Sequence, residues 1–163
     1  MISQAMVAAL NHQIKHEFYS SYLYLSMAAH CDQQGLFGFA HWMKLQTDEE
    51  RSHGMKIFDY LLDNGVPVAL EPLEQPPAAF GGPLQMFRAV LDHERSITQR
   101  IHNLVAQAKE EHDYRTDSFL QWYVMEQMEE EKNAMDILQR IEIVEERMSA
   151  ILWIDKELKK RGA

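Results

Sequence analysis

Four stretches of apolar residues, spaced alternately three and four apart, run through this chain, and each is interrupted near its middle by an acid, an imidazole or an amide. The first seam reads Leu10, Ile14, Glu17, Ser21, Tyr24, Ala28, and the second Phe39, Met43, Gln46, Glu50, His53, Ile57, Tyr60. The third reads Phe87, Val90, Glu94, Ile97, Ile101, Leu104, Ala108, and the fourth Leu120, Tyr123, Gln127, Glu130, Ala134, Ile137, Ile141. This spacing dictates amphipathic helices, and four helices that must each bury one stripe are most simply satisfied by a bundle. Because the segments have similar lengths, their middles fall at one depth whichever way each helix runs. Glu17, Glu50, His53, Glu94, Gln127 and Glu130 are therefore expected to converge.

Chain-breaking residues divide the segments. Gly35 and Gly65 stand where a left-handed helix end is wanted, and Pro67, Pro72, Pro76, Pro77 and Gly81-Gly82 forbid a helix between residues 65 and 82. Pro83 suits the first turn of the next helix, and Asp113 or Thr116 can cap the one after it. The expected helices span 3–33, 36–64, 83–112 and 115–144, with a shorter fifth over 149–160, in one domain covering 1–163. A main helix of about 28 residues is about 42 Å long. Consecutive helices joined by short turns must then be antiparallel, whereas the 65–82 loop, with a reach of roughly 60 Å, can run the length of the bundle and leave the second and third helices parallel. The expected fold is all-α: a four-helix bundle with one long crossover loop and a short fifth, C-terminal helix.

The 163 residues, 46% of them apolar, suffice for one substantial core. A formal net charge of −9 disfavours a sequence-independent nucleic-acid binder. No apolar run approaches the roughly 20 residues that cross a bilayer, and Met1 to Leu10 lacks the basic flank of an export signal. The expectation is a cytoplasmic protein without nucleic-acid or membrane partners. The one cysteine, Cys31, has no partner for a disulfide or a CxxC metal site and is read as a small buried thiol.

Acids at the centre of an apolar seam need an explanation, because an unpaired buried charge costs several kcal/mol. Protons or cations must compensate them, and no lysine or arginine lies on these seams at that level. Metal is the simplest source of positive charge. Oxygen donors with one imidazole suit Fe(II), Mn(II) or Zn(II), and Glu50-x-x-His53 aims two donors from one helical turn at one point. Two rivals share these residues: a bundle whose acids are protonated or hydrated and bind no metal, and an oxidase or oxygenase that uses a metal pair on an organic substrate.

The segments Glu17-Phe18-Tyr19-Ser20-Ser21-Tyr22-Leu23-Tyr24, Glu49-Glu50-Arg51-Ser52-His53, His93-Glu94, and Phe119-Leu120-Gln121-Trp122-Tyr123 with Glu126-Gln127-Met128-Glu129-Glu130-Glu131 are specific in combination. Through them the chain resembles the haem-free bacterial and archaeal ferritins over essentially its whole length. The resemblance implies a ferritin-like bundle in which one iron is held by Glu17, Glu50 and His53 and a second by Glu50, Glu94 and Glu130. Glu50 would bridge, Gln127 would sit beside the oxygen-binding position, and Tyr24 would hydrogen-bond into the site. Glu49, Glu126 and Glu129 match a third iron site, sharing Glu130, found in bacterial members.

Departures define the subtype. Bacterioferritins resemble this pattern but carry a second Glu-x-x-His on the fourth helix, where this chain has Gln127-x-x-Glu130, and a haem-binding methionine where it has Arg51. The resemblance therefore implies no haem. It further implies a ferroxidase that oxidises Fe(II) with O2 or peroxide and stores Fe(III) as a mineral, iron being its only cofactor, in a homo-oligomeric shell of 24 subunits. Apolar residues around helix one, including Tyr22, Leu23 and Leu25, and the cluster Ile151, Leu152, Trp153, Ile154 fit burial either against other subunits or by packing within the chain.

Overall fold

The computed structural model describes residues 2–162, which form five helices and, among the described residues, no strand. Helix α1 (Gln4–Gln33) is capped by Ser3, whose hydroxyl oxygen accepts from the Met6 N–H at 3.0 Å. It ends where Gly35 turns left-handed at φ 75°, and α2 (Phe37–Asp63) ends at Gly65 in the same way, at φ 68°. Helix α3 (Pro83–Glu110) opens on proline, with the Gly82 N–H donating to Gln85 Oε1 at 3.0 Å. Asp113 caps α4 (Tyr114–Ile143) by accepting from the Thr116 N–H at 3.1 Å. Helix α5 covers Met148–Leu158.

Helix α3 stops at Glu110 rather than at 112, because His112 adopts φ 55° and Asp113 already serves the next helix. The break after α4 likewise uses no glycine: Glu145 and Glu146 take φ 49° and 54°.

Hydrogen bonds at the ends fix the directions. Ser3 Oγ donates to Glu111 at 2.6 Å, so the start of α1 meets the end of α3. Tyr60 meets Thr116 at 2.9 Å, and Arg115 donates to Asn64 Oδ1 at 2.8 Å, so the end of α2 meets the start of α4. With tight turns inside each pair, α2 and α3 are parallel. The crossover climbs along α1: the Ala69 N–H donates to Asn11 Oδ1 at 2.8 Å, Lys15 pairs with Glu74 at 2.7 Å, Ser26 Oγ donates to the Pro77 carbonyl at 2.6 Å, and His30 Nε2 meets the Gly81 carbonyl at 2.8 Å. This is the bundle with one long crossover and a short fifth helix.

The interior consists of two apolar clusters. One holds Leu10, Ile14, Ile57, Ile101 and Leu120; the other holds Met27, Phe39, Met43, Phe87 and Ile137. Between them lies a belt of buried polar side chains. Among the four long helices, backbones approach closely within the pairs α1–α2 and α3–α4 and between α1 and α3, while the α2–α4 edge is wider and is spanned by side chains. Cys31 is buried, its Sγ 3.5 Å from Met86 Sδ, and burial with the nearby Asp155 pushes the thiol up to about 12.

Helix α5 adds Ile151, Ile154 and Leu158 to the second cluster. It also caps α2. No side chain of α2 does so, and the Phe39 N–H donates to Asp155 Oδ1 at 2.9 Å. The approach is so close that a Cβ on Gly38 would lie 1.6 Å from the Asp155 carbonyl oxygen. Gly38→Ala must push α5 away, losing both cap and apolar contact, and is expected to destabilise by at least the ~1–3 kcal/mol of ordinary overpacking. Thermal unfolding with amide exchange at α5 checks this; an unchanged melting point and protected α5 amides would contradict it.

Candidate metal centre

The α1–α2 pair is drawn together at mid-height by a missing side chain, since a Cβ on Gly54 would fall 2.5 Å from the Phe18 ring. That contact brings Glu17 of α1 and His53 of α2 to one level. Across the bundle, Tyr123 of α4 donates its hydroxyl to the His53 carbonyl at 2.6 Å, tying α4 to α2 there. Glu17, Glu50, His53, Glu94, Gln127 and Glu130 all point inward and are each at most 4% exposed.

Glu17, Glu50 and His53 present donor atoms within 4.8 Å of one another, and so do Glu50, Glu94 and Glu130. Glu50 belongs to both groups. Hydrogen bonds hold most of the remaining oxygens. Gln13 Nε2 donates to Glu17 Oε1 at 2.8 Å, and Gln46 Nε2 donates both to Glu50 Oε1 at 2.9 Å and to Glu130 Oε2 at 2.8 Å. Tyr24 donates a short hydrogen bond to Glu94 Oε1, and Gln127 Nε2 reaches Glu94 Oε2 at 3.1 Å.

Among the described residues, two buried side-chain atoms are left without a hydrogen-bond partner: Glu17 Oε2 and His53 Nδ1. Leaving such atoms unpaired costs about 1–3 kcal/mol each, and native interiors rarely tolerate it. His53 Nδ1 stands 3.4 Å from Glu50 Oε2. Both orphans belong to the same donor group, so one cation there would satisfy them together. Hard oxygens with one imidazole nitrogen fit a borderline divalent ion such as Fe(II).

The electrostatics point the same way. Among the described residues no lysine or arginine pairs with Glu17, Glu50, Glu94 or Glu130. Burial, and then the Glu50 charge, push Glu17 up to about 8. Burial, Glu50 and Glu49 push Glu130 up to about 8, and burial with Glu50 and Glu130 lifts Glu94 well above the usual carboxyl range. Burial draws His53 down, but Glu50, Glu17 and Glu130 outweigh it and raise the imidazole to about 9. Burial and Glu94 keep Tyr24 protonated. Without metal the belt holds its own protons, which an entering ion must displace.

Glu49, Glu126 and Glu130 come together in a further group on the α2–α4 side, and His53 joins it, with Nε2 3.6 Å from Glu126 Oε1. Glu129 is exposed and stands outside that group. Arg51 is exposed. Four contributors carry no role in the sequence reading: Gln13, Gln46, Tyr123 and Arg161. Gln46 lies on the second seam, and Gln13 sits four residues before Glu17, one turn away; these spacings could have flagged both. Arg161 sits in a Lys-Lys-Arg run that reads as complement to a helix end, and nothing in the sequence ties it to α2.

The chain matches the family model of the ferritin-like domain over residues 7–144. It is 37% identical to a bacterial non-heme ferritin of Staphylococcus epidermidis, covering 99% of this chain and 98% of that one. It is 40% identical to a probable bacterial non-heme ferritin-like protein of Haemophilus influenzae, covering 97% and 96%. Among solved structures, it superimposes on an open pore ferritin from the archaeon Archaeoglobus fulgidus with a TM-score of 0.98, at 48% identity and 99% coverage of both chains.

The raised groups set the pH dependence of the metal-free protein. Their protons are bound more tightly in the folded than in the unfolded chain, so their stabilisation is complete below the unfolded values. It is lost as pH rises through about 8 for Glu17 and Glu130 and about 9 for His53. His16, lowered to about 4 by burial and Arg100, and His93, lowered by burial, act oppositely on the acid side. Metal-free melting temperature is thus expected to fall between pH 6.5 and 9, and a divalent ion to reverse the fall. A flat or rising metal-free profile over that window would contradict the assignment.

Proposed function

This chain belongs to the ferritin family, and we propose from that premise that it takes up Fe(II), oxidises it at the centre described above and stores it as a ferric mineral within a shell of its own copies. The observation that carries the reading is the pair of orphaned buried donors, Glu17 Oε2 and His53 Nδ1, beside a carboxylate common to two donor groups. One ion there would satisfy both atoms and offset the charge of the shared Glu50.

In this reading Fe(II) is the substrate. Glu17, Glu50 and His53 hold one ion and Glu50, Glu94 and Glu130 the other, so two one-electron donors stand side by side and O2 receives two electrons in one encounter. Gln46 and Gln13 orient the carboxylates by donating to the oxygens that do not face the ions. Tyr24 and Gln127 both fasten Glu94, limiting how far the second position can swing. Protons displaced from Glu17, Glu94, Glu130 and His53 leave as iron enters, so uptake weakens as pH falls. With one nitrogen donor, the pair binds iron less firmly than a two-histidine site, which suits a substrate that moves on to the mineral. Arg51, standing where bacterioferritins place a haem-binding methionine, supports a haem-free reading.

Storage needs a cavity that one bundle cannot enclose. Exposed apolar side chains on the outer face of α1, Tyr22 and Leu25, and on α5, Leu152 and Trp153, support self-association. A shell of 24 subunits is the form proposed. No described helix is long and apolar enough to cross a membrane.

Two measurements test this. Replacing Glu50 or His53 with alanine is expected to lower the initial rate of Fe(III) absorbance after Fe(II) is added in air by more than the roughly tenfold to hundredfold loss that follows removal of a ligand's outer partner. Unchanged rates would refute the centre. Light scattering should find a large closed particle; a stable monomer or a twelve-subunit particle would refute the shell.

A further inference from the structure

A cation reaches the edge of the acidic belt from outside the four seams. Arg161, beyond α5, lies along α2: its carbonyl meets His41 Nε2 at 2.9 Å and its guanidinium stacks on the Trp42 ring at 4.7 Å. Nη1 donates to the Trp42 carbonyl at 3.3 Å and to Gln46 Oε1 at 2.9 Å, and Nη2 pairs with Glu49 Oε2 at 2.5 Å. His41, Trp42, Gln46 and Glu49 follow one face of α2, so the arginine is held over two turns.

Two consequences follow. Gln46 is fully buried, and the guanidinium occupies its carbonyl, which leaves its amide nitrogen to face Glu50 and Glu130. The opposite amide orientation would set an oxygen against two carboxylates. Arg161 therefore determines which end of Gln46 the shared ligands meet. It also neutralises Glu49, a member of the outer group with Glu126 and Glu130. An ion entering that group and the guanidinium compete for one carboxylate.

We infer that Arg161 is a built-in competitor for the outer acidic group: it holds Glu49 and orients Gln46 until an ion bound by Glu49, Glu126 and Glu130 displaces it. Arg161 acts as a positioning residue, setting the threshold at which iron passes from the inner pair to the outer position. This rests on the iron-handling reading of the inner pair.

Zn(II), which is redox-silent, is the probe, titrated into the assembled protein by calorimetry. Wild type is expected to take two tight equivalents and a weaker third. Arg161→Gln should tighten the third by roughly two- to fivefold, the scale of a partly exposed ion pair, and should not tighten the first two. Arg161→Lys, which keeps the charge without the planar fork, should fall between. In Glu49→Gln the third equivalent should weaken, and adding Arg161→Gln should then no longer tighten it. A third equivalent that is absent in wild type, or equal or weaker in Arg161→Gln, overturns the inference. A readout with Arg161 intact uses Trp122→Phe/Trp153→Phe, in which Trp42 is the sole tryptophan. Its emission should respond to the third equivalent and not to the first two; silence at the third overturns the inference. Absence of any Zn(II) binding would instead bring down the iron-handling reading as a whole, whereas two tight equivalents with an Arg161-insensitive third refute this inference alone.

Discussion

Four carboxylates and an imidazole share the centre of a bundle in which, among the described residues, no lysine or arginine pairs with those carboxylates. In a medium of low polarity these charges repel one another and resist losing water, so the metal-free chain answers by keeping protons on Glu17, Glu94 and Glu130. The surrounding amides and hydroxyls, from Gln13, Gln46, Gln127 and Tyr24, donate to one oxygen each of Glu17, Glu50 and Glu130 and to both oxygens of Glu94. Two donor atoms are left bare. The belt interrupts the packing between two apolar clusters, which together hold its walls in place. Hydrophobic burial thus provides the rigidity, and the polar layer between the clusters costs stability.

Helix α2 is the member on which the rest converges. Gly54 admits the Phe18 ring and draws α1 to the level of the belt, and Gly38 admits the backbone of α5. Glu50 is common to both inner donor groups, and Gln46 joins it to Glu130 across the wide α2–α4 edge. Further along, the same helix receives a cap from Asp155 and a cation from Arg161. The short fifth helix is therefore connected to the candidate metal centre through one face of α2, although it contributes no member of the two inner donor groups.

Much of this was legible along the chain. Alternating steps of three and four apolar residues identify the inward stripe of each helix, and similar helix lengths place Glu17, Glu50, His53, Glu94, Gln127 and Glu130 at one depth. Clustered prolines identify the crossover. The end of α3 at left-handed His112 was not legible, because such a conformation is imposed by packing and has no residue signature as strong as glycine's. Nor was the division among the outer acids: Glu49 and Glu126 meet while Glu129, two residues from Gln127, faces away, a difference of helical phase finer than a heptad pattern resolves.

The amino-acid sequence by itself determined the class of fold, the direction of its helices and the inventory of side chains at its centre, since these follow from local periodicity and chain length. Tertiary structure alone decided which oxygens are hydrogen-bonded and which remain bare, and that Gly38 and Gly54 are points of contact rather than weak places in a helix. It alone brought Arg161 to Glu49 across 112 positions of sequence. Such pairings depend on how the helices are rotated and how closely they approach, and no local spacing encodes either quantity.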